Sequence, residues 1–338
     1  MIAPSRLRLD SGALVANWQM LDRMSGAAAC GAAVKADGYG LGARGVVERL
    51  AAAGCRDFFV ASWAEALALA DLGVALSVLH GVRAEDPVGA ANVRPVLNSA
   101  AQVARWKPGG QPCDVMVDTG MNRLGVSAEE IAGGLLDGLK IETLMSHLAC
   151  ADEEVAMNAQ QRDAFAALKG RTSAKRMSLA NSAGIALGAE YAFDLTRPGI
   201  ALYGGVQHAG HAGIRQVVTP EAQILQRRRV RAGGTVGYNA TFTAPADIEV
   251  AILNIGYADG YLRCFSGKGM ARAGDAVLPV LGRVSMDLVA IGVDAASGLR
   301  EGDWVALDYN LPVTAKLSGL SQYELLTGLG GRFDRVWY

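Results

Sequence analysis

The sequence predicts an α/β chain: a (β/α)8 barrel followed by a C-terminal, mostly-β domain. Three observations lead there. Over the first two hundred residues, short β-rich runs alternate with stretches whose apolar positions recur at helical spacing. The texture then changes to one strand after another, and polar residues collect at the ends of the early strands. A length of 338 residues with 51% hydrophobic content allows one large domain or two ordinary ones, each with a sizeable core.

The early runs are 30–35 (CGAAVK), 57–62 (DFFVAS), 76–80 (LSVLH), 94–98 (RPVLN), 113–118 (CDVMVD), 141–147 (IETLMSH), 176–181 (RMSLAN) and 193–196 (FDLT). Helical spacing appears between them at 43–53, 63–72, 127–137 and 153–168, and Ser127 with Glu130 has the form of a capping box. Eight alternations in about 200 residues favour a closed barrel over a doubly wound open sheet. After Tyr203, the stretches 216–231, 248–256, 276–293 and 303–308 read as strands cut by Gly, Pro and Asp turns. The expected division is 1–210 for the barrel and 211–338 for the β-rich domain, with the Gly- and His-rich loop 204–214 as linker. The strand-like SRLRLD at 5–10 fits either domain.

Composition narrows the partners. A net charge of −1 offers no electrostatic reason to bind nucleic acid or an anionic membrane, so the expected ligand is small. Cys30, Cys55, Cys113, Cys150 and Cys264 are odd in number and scattered, with no C-x-x-C pair or Cys/His metal cluster, which suits a reducing cytoplasm and implies no metal. The N-terminus has no apolar segment of signal-peptide type, and no apolar run approaches the roughly 20 residues that cross a bilayer. The expected location is cytoplasmic.

In a barrel, chemistry gathers at the C-terminal ends of the strands. Here those ends carry Lys35, Arg123 in DTGMNR, His147, the pair Asn181 and Ser182, and Arg197. Each has an ordinary reading as a solvated terminus, a loop cation, a structural histidine or a helix cap. One barrel mouth holding all five shifts the balance towards a site. Ser182 in NSAG and Gly199-Ile200 in RPGI suit a phosphate, because backbone N–H groups freed by glycine bind anions. Neither nucleotide-binding glycine motif is present, so a phosphate facing a strand-end lysine points to pyridoxal 5'-phosphate.

Taken together, AAVKADGYGLG (32–42), DTGMNRLG (118–125), MSHLACADE (145–153), LANSAG (179–184), TRPGIALYG (196–204), VGYNATF (236–242), IGYADGY (255–261), GRVSMD (282–287) and YELL (323–326) resemble the bacterial alanine racemases, fold-type III pyridoxal-phosphate enzymes. The resemblance covers nearly the whole chain. It implies that Lys35 holds the cofactor and acts as one catalytic acid/base, with Tyr257 as the other. It places Tyr39, Ser182, Gly199, Ile200 and Tyr323 around the phosphate, Arg197 at the pyridine nitrogen with His147 behind it, and Asn181 beside the cofactor. Arg123 would touch cofactor and substrate carboxylate, Met286 would lend backbone to that carboxylate, and Asp287 would stand beside it. A homodimer with shared sites is implied, the tyrosine coming from the partner's β-rich domain. One departure stands out: members commonly carry a CO2-modified lysine seven residues before the arginine, and here that position is Met116.

The chemistry fits these residue types. Racemisation removes the Cα proton on one face and returns one on the other, which calls for two acid/bases. A free lysine titrates near 10, so Lys35 must be tuned downward, and neighbouring arginines are the expected cause. An arginine at the pyridine nitrogen leaves that nitrogen unprotonated, a weaker electron sink than an aspartate would make. The expected reaction is the interconversion of L- and D-alanine, supplying D-alanine for peptidoglycan, with a serine or other small-amino-acid racemase or a catabolic enzyme as alternatives. A non-catalytic pyridoxal-phosphate protein would lack the β-rich domain, and an amino-acid decarboxylase would lack the racemase-like IGYADGY and GRVSMD.

Overall fold

The computed structural model describes residues 3–87 and 89–338. It divides into two compact units, Ala13–Arg215 and a second made of Met1–Gly12 with Gln216–Tyr338.

In the first unit, β2 (Asp57–Val60), β3 (Ala75–Val78), β4 (Val93–Leu97), β5 (Pro112–Met116), β6 (Lys140–Met145) and β7 (Arg176–Ser178) lie side by side in chain order, all parallel. The first strand, β1, is split at Gly31 into Ala29–Cys30 and Ala32–Ala33. Its second half pairs with β2, and its first half with β8 (Leu195–Thr196). Asp194 N–H donates to Met177 O and Arg197 N–H to Ala180 O, joining β8 to β7 and closing the ring. An added Cβ at Gly31 would press on Asp57 O at 2.8 Å, which is why the split falls at a glycine. These strands are buried on both faces, so they read as apolar runs, and Phe58, Phe59, Leu76, Val96, Val115 and Leu144 are almost fully enclosed. All eight expected runs lie on these strands.

Helix Ala43–Ala53 matches its expected span, and Ser127 and Glu130 close the capping box in front of a shorter helix, Ala128–Ala132. The stretch at 63–72 resolves into helix Trp63–Leu67 and a 3-10 turn, and helix Ala156–Ala166 lies inside 153–168.

The second unit is an eight-stranded sheet. Its longest strand, Val218–Val230, shifts register between Ile224 and Gln226, so its first part pairs with Ser5–Leu9 and Trp304–Leu307 and its second with Ile248–Leu253. A bulge bends one strand between two sets of partners. The expected run 276–293 is two strands, Ala276–Leu281 and Val289–Gly292, because GRVSMD forms a turn with Gly282 at φ +66. The division at residue 210 is corrected at both ends. Ser5–Leu9 pairs with Val218–Ala222 and Asp334–Trp337 and so belongs to the β-rich unit. The 3-10 turn Ala209–His211 packs on helix Ser182–Ala186 and belongs to the barrel. Among the described residues, no helix is long and apolar enough to cross a membrane, and no cluster of three metal-ligating side chains occurs.

Candidate active site

Lys35 stands where β1 gives out. The chain then turns the wrong way for L-residues: Ala36 (φ 53, ψ 49), Asp37 (φ 51, ψ 51) and Gly38 (φ 63, ψ 42) form a left-handed turn, and Tyr39 follows at φ 56. Such a run costs roughly 1–2 kcal/mol for each non-glycine residue, so the surroundings must enforce it. They do so by hydrogen bonds. Ala36 N–H donates to Glu65 Oε1 (2.8 Å), Gly38 N–H to Val34 O (2.8 Å), and Ala43 N–H, opening the next helix, to Asp37 Oδ1 (2.8 Å). Gly38 admits no side chain, since a Cβ there would sit 3.1 Å from Ala43 backbone.

The turn delivers Tyr39 to a buried position, stacked on Tyr203 with ring centroids 4.7 Å apart. Tyr203 is anchored by its hydroxyl to Ala33 O (2.8 Å). Opposite, Ser182 Oγ accepts from Gly199 N–H (2.8 Å) and Ala201 N–H (3.3 Å), while Asn181 caps the following helix through Gly184 N–H (2.9 Å). A Cβ on Gly199 would overlap the Tyr39 hydroxyl, so only glycine lets these two loops meet. The backbone of the Gly199 loop, two hydroxyls and a bare glycine make a cradle suited to a phosphate group.

Arg197, at the end of β8, is almost fully buried and has no carboxylate partner among the described residues. Its guanidinium donates to Ser178 Oγ, to Ser146 O (2.5 Å) and to Leu179 O (3.4 Å), all neutral acceptors. Burial lowers its pKa to about 10, with Asp114 opposing, so it stays charged at neutral pH. A buried cation of this kind suits an aromatic nitrogen that accepts a hydrogen bond rather than one already protonated.

Three cations converge on the mouth. Burial is the largest cause lowering the Lys35 pKa, with Arg123 and Arg197 adding to it and Glu65 opposing. The arginines expected to tune this amine therefore come second to desolvation. The same effects, burial first and then Arg197, Arg123 and Lys35, lower His147 from 6.5 to about 3, so its ring is neutral at working pH. An amine whose pKa is lowered by burial, beside a phosphate-shaped cradle and a buried arginine, has the right parts for an aldehyde cofactor such as pyridoxal phosphate.

Arg123 is exposed on the loop after β5, and Met116, at that strand's end, is buried. The remaining expected residues lie in the β-rich unit. Tyr257 opens a 3-10 turn, half-buried, with the Arg263 guanidinium 5.0 Å from its ring centroid. The turn is tied to GRVSMD by Tyr257 N–H to Ser285 O and Ala258 N–H to Met286 O, each 3.0 Å. Met286 is 54% exposed, and Asp287 is paired at 2.8 Å with Arg332, which also holds the buried Asp259 at 2.7 Å. Tyr323 is partly exposed on helix Gln322–Thr327.

Sequence reasoning missed several participants. Glu65, Ser146 and Ser178 act through contacts distant in the chain. Tyr238 lay in a quoted motif without a role. It is 69% exposed on a loop in which Gly237, Asn239 and Ala240 all have positive φ, and it lines a cavity of about 550 Å3 with Arg228, Arg283 and Ser285.

Comparison with known proteins follows the same outline. A family model for the N-terminal domain of alanine racemase matches residues 9–207, and one for the C-terminal domain matches 217–337. The alanine racemase of Rhodospirillum rubrum is 43% identical, the match covering 98% of this chain and 96% of that one. Agrobacterium fabrum has a catabolic and a biosynthetic alanine racemase, each 40% identical, covering 99% of this chain and 92% and 94% of theirs. The crystal structure of alanine racemase from Bartonella henselae, with covalently bound pyridoxal phosphate, superposes with a TM-score of 0.90 at 34% identity, covering 99% of both chains.

Proposed function

The chain belongs to the alanine racemase family, and from that premise we propose that it interconverts L- and D-alanine with pyridoxal 5'-phosphate held at the mouth of its barrel unit. The observation that carries this is Lys35, its pKa lowered, on a strained turn beside a phosphate-shaped cradle and a buried arginine without a carboxylate.

When bound, the cofactor supplies the conjugated electron-withdrawing system that makes the Cα proton of an amino acid acidic. The chain's own residues do the rest. Tyr39, Ser182, Gly199 and Ile200 would hold the phosphate, a role the resemblance also gives Tyr323, and Arg197 would donate to the ring nitrogen, with neutral His147 behind it. Asn181 keeps the cradle helix in place. Arg123, the Met286 backbone and Asp287 receive the substrate carboxylate. Lys35 Nζ moves the proton on the face used by the D-isomer.

A tyrosine of the β-rich unit serves the other face, and two compete for that role. Tyr257 has the resemblance in its favour. Tyr238 has its exposure: a group that reaches a site shared with a second subunit must stand clear of its own chain, and Tyr238 does so where Tyr257 lies half-buried under Arg263. We favour Tyr238, within a homodimer whose sites are shared. Five free cysteines support a cytoplasmic enzyme, and the role proposed is supply of D-alanine for peptidoglycan.

Borohydride reduction of the yellow protein followed by peptide mapping tests the core of this reading. The label is expected on Lys35, and a label elsewhere removes it. Growth of a D-alanine-requiring bacterium carrying this chain, without added D-alanine, tests the biosynthetic role.

A further inference from the structure

We propose that Gln161 is the positioning residue for Arg123, acting through Thr119 to hold the Arg123 loop against the barrel. The proposal rests on the reading of Arg123 as the group that receives the substrate carboxylate.

Residues 118–125 leave the barrel through a narrow neck, where Asp118 N–H donates to Val126 O (3.0 Å) and Val126 N–H to Met116 O (2.9 Å). Inside the loop, Asp118 Oδ1 accepts from Gly120 N–H (2.8 Å) and Asn122 N–H (3.1 Å), which supports the left-handed Asn122 (φ 56) just before the arginine. These bonds shape the loop but do not orient it. Arg123 does not anchor itself either: its side chain is exposed and makes no hydrogen bond or ion pair among the described residues. Met116, whose thioether is only a weak acceptor, offers no firm anchor.

The outward ties run through Thr119. Its hydroxyl meets Ser146 Oγ at 2.8 Å and accepts from Gln161 Nε2 at 3.3 Å. Gln161 is fully buried in helix Ala156–Ala166, and its amide is fully used. Nε2 also donates to His147 O (3.0 Å), and Oε1 accepts from Ala149 N–H (2.9 Å). The same helix face packs on the loop, since a Cβ at Gly120 would lie 3.6 Å from Met157 Cε and 3.8 Å from Gln161 Cγ. One buried amide thus joins the Arg123 loop to the loop that carries His147. A buried amide is costly unless every bond is made, so its two donors and one acceptor fix a single arrangement. Misplacement of a binding group by a fraction of an ångström is felt in substrate binding.

The test uses Gln161→Met, Thr119→Val, Thr119→Ser and the double variant Gln161→Met/Thr119→Val of the holoenzyme. Gln161→Met is expected to raise KM for L-alanine about tenfold and to weaken binding of propionate, a bare carboxylate probe, by a similar factor. The expected change in kcat is less than about threefold, with cofactor affinity of the apoprotein within about twofold. Thr119→Val should move both constants the same way, Thr119→Ser should restore them, and the double variant should be no worse than Gln161→Met, as for residues acting in series. Hydrogen exchange at residues 120–125 should quicken in Gln161→Met.

Unchanged KM and propionate binding, additive losses in the double variant, or a loss confined to cofactor affinity would each overturn the proposal. If Gln161→Met does not fold, the Thr119→Val and Thr119→Ser pair decides it. Arg123→Gln is measured in parallel: unaltered propionate binding there sinks the reading of Arg123 alone, and the exchange result still judges Gln161.

Discussion

Apart from the exposed Arg123 of the barrel and the half-buried Tyr257 of the β-rich unit, the two units present their candidate residues in opposite ways. In the barrel, Arg197, Ser182 and Tyr39 are buried. Arg197 and Ser182 are bound to neighbouring loops and Tyr39 is stacked on Tyr203, so the site is assembled before anything binds. In the β-rich unit, Tyr238, Met286 and Tyr323 are 69%, 54% and 38% exposed, and Leu288, which lines the same cavity as Tyr238, is 40% exposed. Half of the candidate residues are preorganised within one chain, and the other half are displayed. That contrast is what the proposed shared site would produce, since displayed groups would find their burial on a second copy.

The comparison breaks most sharply at the lysine and the tyrosines. Lys35→Ala is expected to lower turnover by ~10³-fold or more and to abolish covalent labelling. Tyr238→Phe should cost about 10²–10⁴-fold with cofactor absorbance intact, the range for loss of a positioned acid/base, and Tyr257→Phe should cost much less. The reverse ranking returns the role to Tyr257. Mixing the inactive Lys35→Ala and Tyr238→Phe proteins, with subunit exchange, should restore about a quarter of wild-type activity, because half the dimers are mixed and each of those rebuilds one intact site. No recovery would mean that each site is made by a single chain.

Arg197→Glu sharpens the barrel side. An acid at this position favours protonation of the ring nitrogen, so pyruvate and pyridoxamine phosphate formed per racemisation event should rise about tenfold or more. Some loss of activity is expected besides, since the new acid is buried beside His147. A folded, cofactor-loaded variant with the wild-type partition would leave Arg197 as a structural donor only.

A smaller effect concerns the acid sensitivity of the barrel unit. His147 has a folded pKa of about 3 against 6.5 when unfolded, a depressed base. Between those values the unfolded chain binds a proton that the folded one refuses, so stability is level above 6.5 and falls as pH drops below it. At pH 5 this comes to about 2 kcal/mol. Denaturant unfolding of the apoprotein at pH 7.5 and pH 5 should show that loss, and His147→Gln should remove most of it.

What could be read beforehand follows physical lines. The eight barrel strands were visible because parallel strands buried on both faces are apolar throughout, and the Ser127–Glu130 cap because it is local. The partners of Ser5–Leu9 lie more than two hundred residues away, and no local pattern marks them. Gln161 reads as a polar residue on a helix until Thr119, 42 positions earlier, is placed against it. Lys35, Arg197 and Ser182 stood out by sitting at strand ends. The leading role of burial in tuning Lys35 needed the folded surroundings. The left-handed turn was hidden for a different reason, since Ala36 and Asp37 argue against it by propensity.

That turn carries a consequence for anyone hoping to toughen the enzyme. Ala36→Gly relieves a left-handed alanine and should stabilise the folded chain by roughly 1 kcal/mol, more than most surface changes offer. Yet it also widens the range of angles through which the neighbouring lysine can swing, because glycine gives up the stiffness along with the stress. A variant selected for heat resistance at this position is expected to melt later and turn over more slowly. The least comfortable residue beside the amine is the one that best repays being left alone.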